Sequence, residues 1–249
     1  MPDYTDLFDQ RGSSYDRAMQ AFPAARAEEF RQLLAPLVPR SAMIIGDVPA
    51  GGGYLRAYIA EGCEWVRHEP CADFTTHAGQ DQTERNGVAL YPFPWKDESI
   101  DAVVSLAGIH HLEDKRRFFA EAHRVTRPQG DFVVSDVARD HPVAAFLDEF
   151  VGAYNSTGHE GLYLDEGTGE ELRSAGWSIV DDRANDYHWV FPDRSAMIAF
   201  VRRLFDIGTI EDGEIGAAID DRLGVDDLRS GQVGMRWGLR TIHARRIAK

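Results

Sequence analysis

The chain has 249 residues, 43% of them hydrophobic, and 27 basic against 41 acidic side chains give it a formal net charge of −14. That charge repels nucleic acid phosphates and anionic membrane surfaces, so a nucleic acid or membrane partner is not expected, and no run approaches the apolar length of a membrane span. The acidic start Met1-Pro2-Asp3-Tyr4 lacks a secretory apolar region, and the two cysteines, Cys63 and Cys71, make neither a disulfide framework nor a metal set, so the expected location is cytoplasmic.

In chain order, Phe30, Leu33, Leu34 and Leu37 fall at helical spacing within 24–38 and stop before Pro39. Ala42–Val48 reads as a strand, Gly51-Gly52-Gly53 as a turn, and Tyr54–Glu61 as the helix that follows. Trp65–His68 is a second short strand closing at Glu69-Pro70, with a helix-like stretch to Gln80 and a third strand at Val88–Tyr91. A proline-broken loop, Pro92–Ser99, leads to Asp101–Ala107, which has the apolar continuity of a buried parallel strand. Glu113–Val125 is an amphipathic helix with Phe118, Phe119, Ala122 and Val125 inward, halted by Arg127-Pro128-Gln129-Gly130, and Phe132–Val137 is the fifth strand.

Strands alternating with helices at this spacing imply a doubly wound parallel sheet. The alternation lapses over 138–166, then resumes with a helix at 168–175, a strand at Trp177–Val180, a helix at 194–205 and a terminal alternating strand, Gly238–Arg245. The acidic segment Glu211–Asp227 reads as a solvated helical face, and the basic runs at Lys115–Arg117 and Arg240–Arg246 are too short to outweigh it. The whole reads as one domain, 1–249.

The most informative stretch is Ile44–Leu55, a β-branched run ending at Asp47, then glycines, then a helix start. Glycine is needed where a backbone passes close to a ligand, and such a strand–turn–helix holds nucleotide-type cofactors. Glu69 follows Gly51 by 18 residues and ends the second strand, where a carboxylate can accept from both hydroxyls of a ribose. Ribose recognition is common to S-adenosylmethionine and NAD, so Glu69 alone does not choose between them.

The ordered set Pro92-Phe93-Pro94, Ser99–Ser105, His110-His111-Leu112, Arg124–Gly130 and Phe132–Asp136 resembles the central block of class I S-adenosylmethionine-dependent methyltransferases, over roughly residues 42–137. The resemblance implies an α/β fold with a Rossmann-like, seven-stranded, mostly parallel sheet, flanked by helices, with a reversed C-terminal strand and helical lid elements. It divides the domain into an N-terminal helical lid (1–38), a cofactor core (42–137), a substrate-binding insertion (138–166) and a C-terminal remainder (167–249). It implies S-adenosylmethionine as cofactor, a small-molecule methyl acceptor, and a monomer or homodimer.

Carried onto this chain, the resemblance places the cofactor against Asp47, Ala50, Gly51, Gly53, Glu69 and Ala107. Asp47 either orients the glycine turn or meets the cofactor's ammonium. The acid that the family often sets against the adenine falls here at Gly87, so adenine is expected to be read by Asn86 or by the Gly87 backbone. Ala107, Gly108 and His110 follow the fourth strand where the methyl is transferred, so His110 is the candidate catalytic side chain, with His111 beside it. Tyr15 or Arg11 is expected to close the site from the N-terminal segment.

The substrate candidates are Tyr15, His111, Phe146, Tyr154 and Trp189; Phe146 and Tyr154 also fit a packing role, and Trp189 and Phe191 suit a pocket wall or a core equally. His159 and His188 read as local hydrogen-bond partners, and no metal site is expected. Two other readings stand beside this one: a protein that binds S-adenosylmethionine for chemistry other than methyl transfer, and an NAD-linked oxidoreductase. The second lacks Gly-x-Gly-x-x-Gly, because Arg56 stands at the sixth position.

Overall fold

The computed structural model describes residues 4–75, 89–208, 210–229 and 231–247, without the side chains of residues 5–9 and 75. Helices α1 (Tyr4–Ala21) and α2 (Ala27–Leu34) precede β1 (Ile44–Asp47), β2 (Glu64–Arg67), α3 (Ala72–Thr75), β3 (Ile100–Leu106), α4 (Lys115–Val125) and β4 (Thr126–Asp136). A broken helical stretch, α5 (Pro142–Ala145), a π-helical turn (Phe146–Val151) and α6 (Gly152–Tyr154), is followed by α7 (Thr168–Ser174), β5 (Trp177–Phe191), α8 (Arg194–Leu204), α9 (Asp212–Arg222), β6 (Val225–Asp227) and β7 (Val233–Arg246).

The strands form one 7-stranded sheet in the order β2-β1-β3-β4-β7-β5, with β6 also on β7. Pairs β1–β2, β1–β3 and β3–β4 are parallel, whereas β7 runs antiparallel to β4, β5 and β6, so the sheet is mostly parallel with a reversed C-terminal strand. The central strands are covered on both faces. Ala102, Val104 and Val133 belong to one apolar cluster with α2 and α8, and Val103, Phe132 and Val134 to another with α4. That two-sided burial is why β3 is apolar without alternation.

Several elements differ from their sequence reading. The helix expected over Tyr54–Glu61 is a short 3₁₀ segment, Tyr54–Tyr58, ended by a turn at Gly62, whose φ is +83°. The expected strand Val88–Tyr91 is not formed at Ala89–Tyr91, and Val88 lies outside the described residues. Leu90 instead gives its carbonyl to His68 Nε2 at 2.9 Å, while Tyr91 stacks on Phe93, a side-chain arrangement in place of a ladder. The helix-like stretch to Gln80 is described only as α3.

Arg127–Gly130 ends α4 as expected but is carried as a bulge within β4, where the register jumps from Ile100↔Thr126 to Ala102↔Asp131. Trp177–Val180 is the start of a much longer strand, because β7 offers it a backbone partner as far as Phe191↔Val233. The polar run Asp181–Asp186 hid this extension: it lies on the sheet's edge strand, where side chains face water.

Helix α1 is more than a cover. Ala18 and Met19 sit in one core cluster and Tyr4 in the other. The acidic α9 does present a solvated face, while Ile215 and Ile219 are buried. Among the described residues no helix is long and apolar enough to cross a membrane.

Candidate functional site

Both cavities of interest open where β1, β2, β3 and β4 end, the edge at which ligands bind in such sheets. After Asp47 the chain turns through Val48–Gly53, with Gly51 at φ +53° and Gly53 at φ +77°, a region that side chains rarely adopt. The turn is tied to the end of β2: Ala50 N donates to the His68 carbonyl at 3.1 Å and Gly51 N to Glu69 Oε2 at 2.6 Å. Glu69 Oε1 also accepts from Cys71 N at 2.8 Å, so its carboxyl is held at a fixed distance from the glycine turn.

Burial pushes the Glu69 carboxyl up to about 7, against the pull of the Cys71 and Gly51 N–H groups. Asp47 is likewise pushed up to about 7 by burial, although Trp65 Nε1 donates to it at 3.2 Å. Two carboxyls at neighbouring strand ends, beside a turn without side chains, suit a ligand that carries an ammonium and a vicinal diol.

Asp47, Ala50, Gly51, Leu106, Ala107 and Gly108 line a cavity of about 540 Å³ here. Glu69 and Gly53 do not reach its wall. The Tyr4 hydroxyl lies over Glu69, donating to Oε2 at 3.0 Å. Asn86 and Gly87, the adenine candidates, lie outside the described residues.

Ala107 is a non-glycine residue at φ +47°, anchored by its N–H to the Ser135 carbonyl at 2.8 Å. A left-handed alanine at a strand end is backbone strain at the place where the two cavities meet. Gly108 follows. A Cβ there would stand 2.7 Å from Pro49 Cγ, in the rigid turn after β1. Gly108→Ala is therefore expected to cost about 1–3 kcal/mol of stability and to weaken cofactor binding, read by thermal unfolding and calorimetry. Unchanged values in both would show that the turn yields.

A second cavity, of about 510 Å³, shares Tyr15, Arg26 and Ala107 with the first. Its apolar wall is Trp189, stacked on Trp237 at 4.0 Å, with Leu147, Leu204 and Leu239. Beside it the Arg26–Glu29 ion pair is buried and further fixed by Trp189 Nε1, which donates to Glu29 Oε2 at 2.6 Å, and by the Tyr15 hydroxyl against Arg26. Trp189 is thus both cavity wall and core.

The polar wall is His110, His111 and His159, with Arg11. The one-turn 3₁₀ helix Ile109–His111 after β3 is pinned by Asp136 at the end of β4, whose Oδ2 accepts from Ile109 N at 2.9 Å and His110 N at 3.1 Å. Asp136 Oδ1 meets His110 Nδ1 at 2.6 Å and Val137 N at 2.7 Å. Burial alone would raise this carboxyl, but His110 and the N–H groups outweigh it and hold it below its ordinary range.

His159 arrives from the 138–166 segment, which is stitched back onto the sheet by Leu162 N to the His110 carbonyl at 2.8 Å and Leu164 N to the Val137 carbonyl at 2.9 Å. Asp148 fixes its ring, meeting Nδ1 at 3.0 Å while also accepting from Gly161 N at 2.9 Å and from the Tyr163 hydroxyl. Burial, then the charges of His110, His159 and Arg11, pushes His111 well below the usual histidine value; burial lowers His159 also, against the pull of Asp148.

The structure therefore brings Tyr15, His110, His111 and Trp189 together, and Arg11 with them. It does not bring Phe146 or Tyr154 to this cavity. Phe146 is fully buried behind it, packed on Phe150 and Trp237, and Tyr154 is 39% exposed, so helical spacing reported packing and surface there rather than a pocket. His159, read from the sequence as a local hydrogen-bond partner, does bond Asp148 and also lines the cavity, whereas Asp148 was not singled out, since nothing in its own neighbourhood marks it.

Residues 46–134 match the methyltransferase domain family. An uncharacterised methyltransferase of Geobacillus kaustophilus is 26% identical over 145 residues, 55% of this chain and 67% of that one. Among solved structures, a protein of Bacillus halodurans assigned as a methyltransferase superposes with a TM-score of 0.64 at 17% identity, over 89% of this chain and 100% of the other. Phosphoethanolamine N-methyltransferase 2 of Haemonchus contortus, in complex with S-adenosyl-L-methionine, gives 0.63 at 12% identity, over 100% of this chain and 61% of the other.

Proposed function

We propose that this chain, whose residues 46–134 match a methyltransferase domain, is a class I S-adenosylmethionine-dependent methyltransferase that methylates a small molecule held in the cavity walled by Trp189 and Trp237. One observation carries the reading. The cavity with the glycine turn and the Asp47 carboxyl meets the cavity with the histidines across Ala107, whose strained backbone both share.

The cofactor side fits S-adenosylmethionine, with Gly51 allowing close approach, Asp47 suited to its ammonium and Glu69 to its ribose. When bound, it supplies an electrophilic methyl on a sulfonium, so the protein's task is alignment and exclusion of water. Trp189, Trp237 and Leu147 exclude water from the acceptor, Tyr15 closes the boundary from α1, and His110, its ring oriented by Asp136, lies at the acceptor's nucleophilic end. A concave pocket with an apolar aromatic wall and a few convergent polar groups suits a small-molecule acceptor, and the charge of −14 disfavours nucleic acid. The segment 138–166 supplies substrate contacts through His159 rather than through Phe146 or Tyr154.

The test pairs calorimetry with a product screen. S-adenosylhomocysteine is expected to bind and NAD not to bind; incubation of metabolite mixtures with S-adenosylmethionine is expected to give a product heavier by one methyl group. NAD binding without S-adenosylhomocysteine binding would overturn the reading. A converted product of unchanged mass would replace methyl transfer by another chemistry on the same cofactor.

A further inference from the structure

We propose that His110, His111 and His159 form a divalent-metal site of the zinc class, which takes the acceptor's oxygen or sulfur as its next ligand. This inference rests on the proposed methyl-transfer reading for its purpose, though not for its geometry. Three imidazoles offer ligand nitrogens that all lie within 4.8 Å of one another. Their ring centroids are 4.0 Å apart for His110–His111, 5.3 Å for His111–His159 and 5.6 Å for His110–His159. A tetrahedral ion with bonds of about 2.0–2.1 Å wants nitrogens roughly 3.4 Å apart, so the rings close in by about 1 Å through small side-chain rotations.

The surroundings are those of a metal site rather than of three unrelated histidines. Asp136 meets His110 Nδ1 and Asp148 meets His159 Nδ1, at 2.6 and 3.0 Å. A carboxylate on Nδ1 of a neutral ring places the lone pair on Nε2, fixes the ring's orientation and raises its basicity as a ligand. The two carboxylates stand behind the ligands and balance a double positive charge in a buried place. Imidazole as the only donor suits zinc or its neighbours in the transition series rather than magnesium or calcium, which take oxygen.

Three protein ligands leave one position open, and that position faces the cavity the acceptor would enter. A hydroxyl or thiol coordinated there gives its proton to water more readily, and the resulting anion is the nucleophile. Arg11 lines the same cavity, is buried, and its Nε has no hydrogen-bond partner. On its own Arg11 disfavours a bare cation beside it. It complements an anion held on that cation. Asp206 offsets part of its charge.

The test uses the full chain, freed of any affinity tag and stripped with a chelator, then titrated with Zn²⁺ and Co²⁺. One equivalent is expected to bind, with Co²⁺ giving the visible absorption of a tetrahedral nitrogen site. His159→Ala is expected to lose the Co²⁺ spectrum and at least tenfold in Zn²⁺ affinity, and Asp148→Asn, acting through His159, to weaken Zn²⁺ about 10–100-fold. S-adenosylhomocysteine affinity is expected to stay within twofold in both variants, which also reports that they fold. Wild-type protein that binds S-adenosylhomocysteine but neither metal overturns the metal site and leaves the methyltransferase reading standing. Protein that binds metal but not S-adenosylhomocysteine overturns that reading alone.

Discussion

Glu69→Ala is expected to weaken S-adenosylhomocysteine binding by about two orders of magnitude while leaving the fold intact. Two hydroxyl groups of a ribose donating to one carboxylate are charge-assisted bonds of about 1.5–3 kcal/mol each, and part of that gain is offset by the Tyr4 bond that the ligand replaces. Calorimetry on the two proteins decides it, and equal affinities would mean that the carboxyl only braces the Gly51 and Cys71 N–H groups.

The same residue predicts a pH dependence. In the free protein burial holds Glu69 near 7, so below that pH its carboxyl is protonated and is a poorer acceptor for a diol. Affinity should therefore rise with pH, by about tenfold between pH 6 and pH 8, and level off above. Tyr4, Cys71 and Arg67 face this carboxyl, and Asp47, also near 7, titrates over the same range. Glu69→Gln and Asp47→Asn should each flatten part of the profile. A flat wild-type profile would contradict the assignment of either acid to the cofactor.

Asp136→Ala is expected to be the most destabilising of the substitutions discussed. It strips three buried N–H groups, those of Ile109, His110 and Val137, of their acceptor, at about 1–3 kcal/mol each. The total of roughly 3–9 kcal/mol corresponds to a fall of about 10 °C or more in melting temperature for a chain of this size. Asp136→Asn separates structure from function. Its remaining oxygen can still serve Ile109 and His110 N–H, so it destabilises less than the Ala variant although Val137 N–H loses its acceptor, and its amide presents a donor to His110 Nδ1. The ring must then take the other tautomer, with Nε2 protonated and no lone pair for an acceptor or a metal. Turnover is expected to fall at least 100-fold with S-adenosylhomocysteine affinity within twofold. An Asn variant of full turnover would show that the orientation of His110 is immaterial.

The parallel part of the sheet was legible because it depends on short-range facts. Ala102, Val103 and Val104 run apolar without alternation, the mark of a strand covered on both faces, and Glu113–Val125 carries its inward side chains at helical spacing. The glycine turn and Glu69 were legible for the same reason, since they directly follow the strand ends Asp47 and Arg67, which parallel pairing sets side by side. The cavity walled by Trp189 and Trp237 was legible only where it borders that sheet, at His110, His111 and Ala107. Phe146 misled because helical spacing tells which side of a helix is apolar, not what it packs against. The extent of β5 was hidden because a polar edge strand owes its form to backbone pairing with β7, a segment about fifty residues away.

The sequence by itself marked the parallel strands β1 to β4, helix α4, the glycine turn, Glu69 and the pair of histidines after β3, all of them consequences of local spacing. Only the tertiary structure decided that Trp189 and Trp237 wall one cavity, that Tyr4 lies over Glu69, and that His159 joins His110 and His111 with a carboxylate behind each of two rings. Those contacts join residues far apart in the chain, and their closure depends on long-range burial and hydrogen bonding that no local pattern encodes.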